Sequence, residues 1–397
     1  MSETDQPETR GSHPPEFAER PDTRSVAPSE EIVAPILPSS PRFTMRDIFF
    51  GSDGLRAGWS LLLYVALLGA LMAGGIFLVN PQRLQPVVTQ SNSAAPPNAA
   101  AQSAPQSSKS AAHAILTAKA VLLGEGIALL SVLIATWLMA KIERRPTSAY
   151  GLGGKRRLRN FLAGLAWGVA LLSLLVFSLR ACGLLVFDAR LLFGVSALRF
   201  AALWLSGFLL VGLFEETFFR GYLQFTLARG IDGIYGWLHT RYSCMQDARR
   251  IDTNALGFWI AALLLSFGFG FTHRTNPGES PIGLVAVALA AVVFCLSLWR
   301  TGSLWWAIGF HAAWDWAQSF LYGVADSGLV IQGHLFATHP AGRVLLSGGL
   351  TGPEGSLFIL PTLASITTVI VLTLPSVHPN DPISTTHTRS TAGLDLP

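Results

Sequence analysis

Phe214-Glu215-Glu216-Thr217-Phe218-Phe219-Arg220-Gly221-Tyr222-Leu223 places two adjacent carboxylates and an arginine inside a run otherwise apolar enough to cross a bilayer. An ionisable side chain in hydrocarbon costs at least roughly 2.5 to 3.5 kcal/mol, so three within six positions require a reason. They are the first functional candidates, and the chain is read outward from them.

Half of the 397 residues are hydrophobic, 13% are charged, and the mean hydropathy is +0.44. Several stretches reach the roughly 20 apolar residues that span a membrane, which gives an all-α, polytopic membrane protein of about eight transmembrane helices. A net charge of +4, dispersed along the chain, excludes nucleic acid as a partner; the arginines fit the flanks of spans instead. Cys182, Cys244 and Cys295 show neither CxxC nor Cys/His spacing, so neither disulfide nor thiol chemistry is expected. The first 56 residues lack a basic-then-apolar signal pattern, so the first span is expected to remain as an anchor.

Residues 1–55 are rich in Pro, Ser, Glu and Arg and read as a disordered cytoplasmic tail. The first span runs over 57–79, and 80–112, rich in Ala, Pro, Gln and Ser, reads as a flexible linker. The membrane core extends over 113–375, and 376–397 is a polar C-terminal tail. Within the core, spans are expected near 115–140, 161–179, 200–223, 256–272, 281–299, 303–321 and 357–374. The polar segment after Leu223, to about Ala255, is a loop or an interfacial helix. Glu125 either pairs with a neighbour or lies in a polar cavity. With the N-terminus in the cytoplasm, Lys141 to Arg159, Arg229 to Arg250, and Arg300 share the inner side, which puts both termini inside and places the protein in the cell (inner) membrane.

On an α-helix, residues four apart share a face and neighbours point about 100° apart. Glu216 can therefore pair with Arg220, leaving Glu215 to face elsewhere as a candidate general base whose ionisation burial would tune. The plainer alternative is one ion-pair network without chemistry. His273 and His311 lie on two further spans, and Asp315 follows His311 at i, i+4, where it could orient the imidazole. Either histidine alone would more often be a packing residue; together these five groups form a hydrolytic set, without a Ser or Cys nucleophile motif.

Here the chain resembles the CAAX prenyl endopeptidase and bacteriocin-processing family, also called the Abi family, of intramembrane proteases. Its motifs Glu-Glu-xxx-Arg, Phe-xxx-His and His-xxx-Asn/Asp stand in order as Glu215-Glu216-xxx-Arg220, Phe269-xxx-His273 and His311-xxx-Asp315. The similar core covers about Ser196 to Leu321, and Thr351 to Ser356 also looks like a family element. The resemblance implies an endopeptidase in which Glu215 and His273 activate a water while His311 and Asp315 bind the oxyanion, with Asn276 as a polar helper. Asp315 stands where the best-known prenyl-protease members have Asn; an ionised Asp would repel an oxyanion, so it must be protonated, orient His311 or contact a metal.

Two histidines and a carboxylate also make a familiar zinc set, so the hydrolase is either a glutamate or a metallo-endopeptidase. The resemblance favours the metal-free form, with zinc as the alternative cofactor. Depth poses a problem, because Glu215 and His311 each fall roughly 12 Å from the inner boundary, whereas His273 closes a span heading outward. The fifth helix should therefore end early, with 274–280 as irregular backbone lining a cavity. The expected substrate is a membrane-associated protein or peptide: a prenylated protein, a leader peptide or an anchored regulator. The rivals are a membrane scaffold or chaperone without proteolysis and, less well supported for want of an inverted repeat, a transporter.

Overall fold

The computed structural model describes residues 44–51, 54–79, 87–88, 114–154, 156–241 and 253–375. The expected tail up to residue 43, nearly all of the 80–112 linker, Cys244 and the 376–397 tail lie outside the described residues. The last part of the stretch read as tail forms a short helix α1 (Met45–Phe49) and a hairpin, β1 (Phe50–Gly51) with β2 (Gly54–Leu55).

The apolar runs become helices: α2 (Ala57–Val79), α3 (Ala118–Ile142), α4 (Arg157–Ala181), α5 (Gly194–Glu215), α6 (Gln224–Arg241), α7 (Thr253–Thr272), α8 (Pro281–Thr301), α9 (Trp305–Asp315) and, after the four-residue α10 (Val344–Ser347), α11 (Ile359–Thr373). Local chemistry fixes several ends. Thr117 accepts from Ala120 N at 3.3 Å to start α3, Ser280 accepts from Gly283 N at 3.0 Å ahead of Pro281 to start α8, and Gly302 at φ 63° ends α8.

Among the described residues, six helices are long and apolar enough to cross a membrane, by length and composition. The chain is a multi-pass membrane protein. The other two apolar segments are helical but shorter: α9, extended by a π-helical turn Trp316–Leu321, and the 15-residue α11. Trp306, Ala307, Ile308 and Ala312 are each 0% exposed, so the apolarity of α9 belongs to the interior of the bundle rather than to a lipid-facing surface.

The stretch that opened the sequence reading lies at the middle of the longest element. α5, a π-helical segment Glu216–Leu223 and α6 run on without a break, and Gly194–His239 alone is 46 residues. That is roughly 70 Å, more than twice the thickness of the hydrocarbon core. The polar segment after Leu223, open between loop and interfacial helix, thus continues as helix to Arg241; residues 242–252 lie outside the described set.

Helix packing around α9 rests on small residues. A Cβ at Gly164 or Gly168 of α4 would strike the backbone of Trp306 or Phe310, and one at Gly309 would strike the carbonyl of Phe161. Glycines let two membrane helices touch backbone to backbone, which holds α9 rigidly against α4. Gly212 does the same from α5: its Cβ would lie 3.2 Å from the carbonyl of Ile308 and 3.6 Å from His311 Cβ. The connections add small sheets that the sequence reading did not foresee. β3 (Val87–Val88) pairs antiparallel with β4 (Ala114–Leu116), which pairs in parallel with β6 (Val330–Ile331), while β5 (Leu185–Arg190) pairs antiparallel with β7 (Phe336–Pro340).

Candidate active site

Glu215 ends α5 and Glu216 begins the π-helical segment; likewise Asp315 ends α9 and a π-helical turn begins at Trp316. Such wide turns cluster at functional sites because they re-aim the side chains that follow. Each of the two motif helices therefore changes its winding at the residue where the chemistry sits. Nothing in the local sequence signals this.

Glu216 is 0% exposed and its Oε1 takes two donors: Arg220 Nη1 at 3.1 Å and His311 Nδ1 at 3.0 Å. The expected Glu216–Arg220 pair is present, and the same oxygen also holds the histidine. Arg220 is buried between two rings, its guanidinium carbon 4.3 Å from the centroid of Phe269 and 5.7 Å from that of Phe294. With Nδ1 donating to Glu216, His311 turns Nε2 towards Glu215 Oε2 at 3.7 Å and Asp315 Oδ2 at 3.5 Å.

His273 stands in a 3₁₀ turn, His273–Thr275, directly after α7. Its Nδ1 donates to the carbonyl of Phe269 at 2.8 Å, which in the neutral imidazole leaves Nε2 as the acceptor. The helix ends there and Asn276 is extended, so His273 stands at the C-terminal edge of α7.

Glu215, His273, Asn276, His311 and Asp315 line one cavity of about 320 Å³. Glu216 and Arg220 are absent from its wall and stand behind it. Glu125, left open by the sequence, lines it too. Further polar residues carry no weight in the motifs yet also line it, among them Asp326, Ser327 and Glu354. Glu354 accepts from Trp314 Nε1 at 2.8 Å and from Ser327 Oγ at 3.1 Å, which ties Thr351–Ser356 to the wall. That stretch was the only signal of it, and it came without a role. Burial and the neighbouring Asp315 push the Asp326 carboxyl well above its usual range. In the turn between α7 and α8, burial raises Glu279 to about 6, with Glu354 adding to the rise.

Among the described residues, no group of three or more His, Cys, Asp or Glu side chains is placed to hold a metal ion. What the arrangement offers is a carboxylate and two imidazoles lining one pocket, with one imidazole, His311, anchored by Glu216 and 3.7 Å from Glu215.

Residues 196–317 match the family model described as Type II CAAX prenyl endopeptidase Rce1-like. Searches of curated proteins and of solved structures gave no significant match. The matched segment contains all three motifs and hence every catalytic candidate, and its family carries intramembrane CAAX-type endopeptidase activity in general. The match over residues 196–317 supports placing that segment in the CAAX prenyl endopeptidase and bacteriocin-processing family of intramembrane proteases.

Proposed function

We propose that the protein cleaves a peptide bond of a membrane-associated substrate with a water activated by Glu215 and His273, and without a metal. The observation that carries this reading is the meeting of Glu215, His273 and His311, from three separate helices, in the wall of one cavity. Glu215 takes the proton of the water, helped by the acceptor Nε2 of His273, and the hydroxide adds to the peptide carbonyl. His311 donates from Nε2 to the developing oxyanion; Glu216 fixes its orientation from behind. Asp315, within 3.5 Å of the same nitrogen, acts by orienting and balancing His311. The proton held by Glu215 then passes to the leaving amine, so the step balances without a cofactor.

The substrate is a prenylated protein or a leader-bearing or anchored peptide, reached from the cytoplasmic side, on which both termini lie. The basic residues near Lys141, Arg156, Arg229 and Arg300 support that orientation. The test compares the membrane proteome of cells carrying Glu215→Ala with wild type. Peptide fragments or retained precursors that depend on Glu215 are expected; their absence would hand the reading to a non-proteolytic scaffold. Stoichiometric metal in the purified protein, with activity lost on chelation, would replace the metal-free mechanism.

A further inference from the structure

A second cavity, of about 790 Å³, has Arg220 in its wall. It is bounded by the residues after α3, the first half of α6, Phe258 of α7 and the end of α8 at Gly302. Arg145, Arg220 and Arg229 line it, against one carboxylate, Asp232. Asp232 sets Oδ1 against α7 at Gly257, where a Cβ would strike it.

The guanidiniums are only partly engaged. Glu143, whose side chain is 0% exposed, accepts from Arg229 Nη2 at 3.4 Å and lies 3.9 Å from Arg145 Nε, and Glu216 takes Arg220 Nη1. Five buried N–H sites of the lining residues have no hydrogen-bond partner: Arg145 Nε, Arg220 Nη2, Arg229 Nε and Nη1, and Gln224 Nε2. Arg220 is 3% exposed and Gln224 1%. An unmet buried donor costs about 1 to 3 kcal/mol, more when charged, so five at one cavity call for a partner that only accepts. The remaining wall is aromatic, with Phe225, Phe258 and Trp299, the last two rings 4.8 Å apart. Donors beside aromatic surface, at the basic end of the bundle, match a phosphate group that carries an acyl chain.

We infer that this cavity is a binding site for a phosphate group, that of an anionic phospholipid headgroup, seated between Arg145 and Arg229 with Arg220 at its floor. Arg220 lines this cavity and reaches the catalytic one through its partners: its Nη1 holds the carboxylate that orients His311. Lipid bound here therefore supports the catalytic wall from behind.

The test uses the full chain in vesicles of phosphatidylcholine with increasing phosphatidylglycerol, reading retained lipid by native mass spectrometry and the Tm. Wild type is expected to retain phosphatidylglycerol and to gain Tm with its fraction. Arg145→Gln with Arg229→Gln should lower retention roughly tenfold or more, the worth of one or two charge-assisted hydrogen bonds. Because those arginines also brace Glu143, Gly233→Leu provides the second variant. Gly233 lines the cavity and a Cβ there meets nothing within 4 Å, so the leucine blocks the space while every ion pair stays. A Tm rise produced by inorganic phosphate in phosphatidylcholine vesicles, and abolished by Gly233→Leu, would keep the phosphate site and assign it to a free anion. Equal retention and equal Tm response in wild type and Gly233→Leu overturns the inference. None of these readouts requires proteolysis, so failure here leaves the cleavage reading standing, and the reverse.

Discussion

Two cavities, linked through the hydrogen-bonded chain Arg220–Glu216–His311, differ in sign. One, of about 320 Å³, has five carboxylates and two histidines in its wall and neither lysine nor arginine; the other, of about 790 Å³, has three arginines and one carboxylate. The same helical run supplies both walls, Glu215 to the first and Arg220, Gln224 and Arg229 to the second, with Glu216 enclosed between them. The difference teaches that buried charges here are divided by access. Glu215, whose side chain is 21% exposed, borders free space and can meet a substrate, whereas Glu216 at 0% is committed to its two partners.

The comparison breaks most readily at Glu215. Glu215→Gln is expected to lower the cleavage rate roughly 10²- to 10⁴-fold, the usual worth of a general base, with little change in Tm. A large Tm loss with the residual rate intact would show both glutamates to be structural. Arg220→Gln should do the opposite: it leaves the buried Glu216 without its arginine and costs about 3 to 5 kcal/mol of stability, visible as loss of folded protein on size exclusion. Replacing Glu216 and Arg220 together by Gln should recover part of that loss, since no buried charge is then left alone.

Smaller effects sharpen the picture. His311→Ala removes the proposed oxyanion donor and should cost about 10²- to 10³-fold in kcat, with KM nearly unchanged. Asp315→Asn keeps a side chain of the same shape within reach of His311 and should stay within about tenfold of wild type if Asp315 only orients the imidazole. The smallest effect belongs to Glu279. Its carboxyl is raised from 4.5 to about 6 in the folded protein, so folding favours the protonated form. The stability this gives is fully present below pH 4.5 and is lost as pH rises through about 6. Partial solvent screening limits it to about 1 kcal/mol. Glu279→Gln should flatten that slope in a Tm against pH series; an unchanged slope would assign the titration elsewhere.

Much of the fold was legible because a bilayer imposes a simple rule: segments without polar groups must be helices. That rule located all eight apolar helices and the boundaries of α2 and α8 nearly to the residue. The motif spacing likewise put Glu216 against Arg220 and His311 against Asp315, since both are contacts within one helix. The strands of the 322–356 connection were not legible, because β6 and β7 depend on β4 and β5, more than a hundred residues earlier in the chain. Asp326 and Glu354 were missed as cavity residues because contacts between separate segments, such as Glu354 with Trp314 and Ser327, hold that connection against the cavity wall.

The opening decapeptide shows the division most clearly. Sequence alone determined that its three charges needed partners and that Glu216 and Arg220 could serve one another, because hydrocarbon penalises a lone charge and four residues make a helical turn. Only the tertiary structure decided that Glu216 also grips His311, that Glu215 and His273 line one cavity although their spans pointed apart, and that Arg220 backs onto a second cavity. Those outcomes depend on glycine-mediated contact between helices and on a change from α to π winding at Glu216, which arise from packing between distant segments rather than from any local pattern.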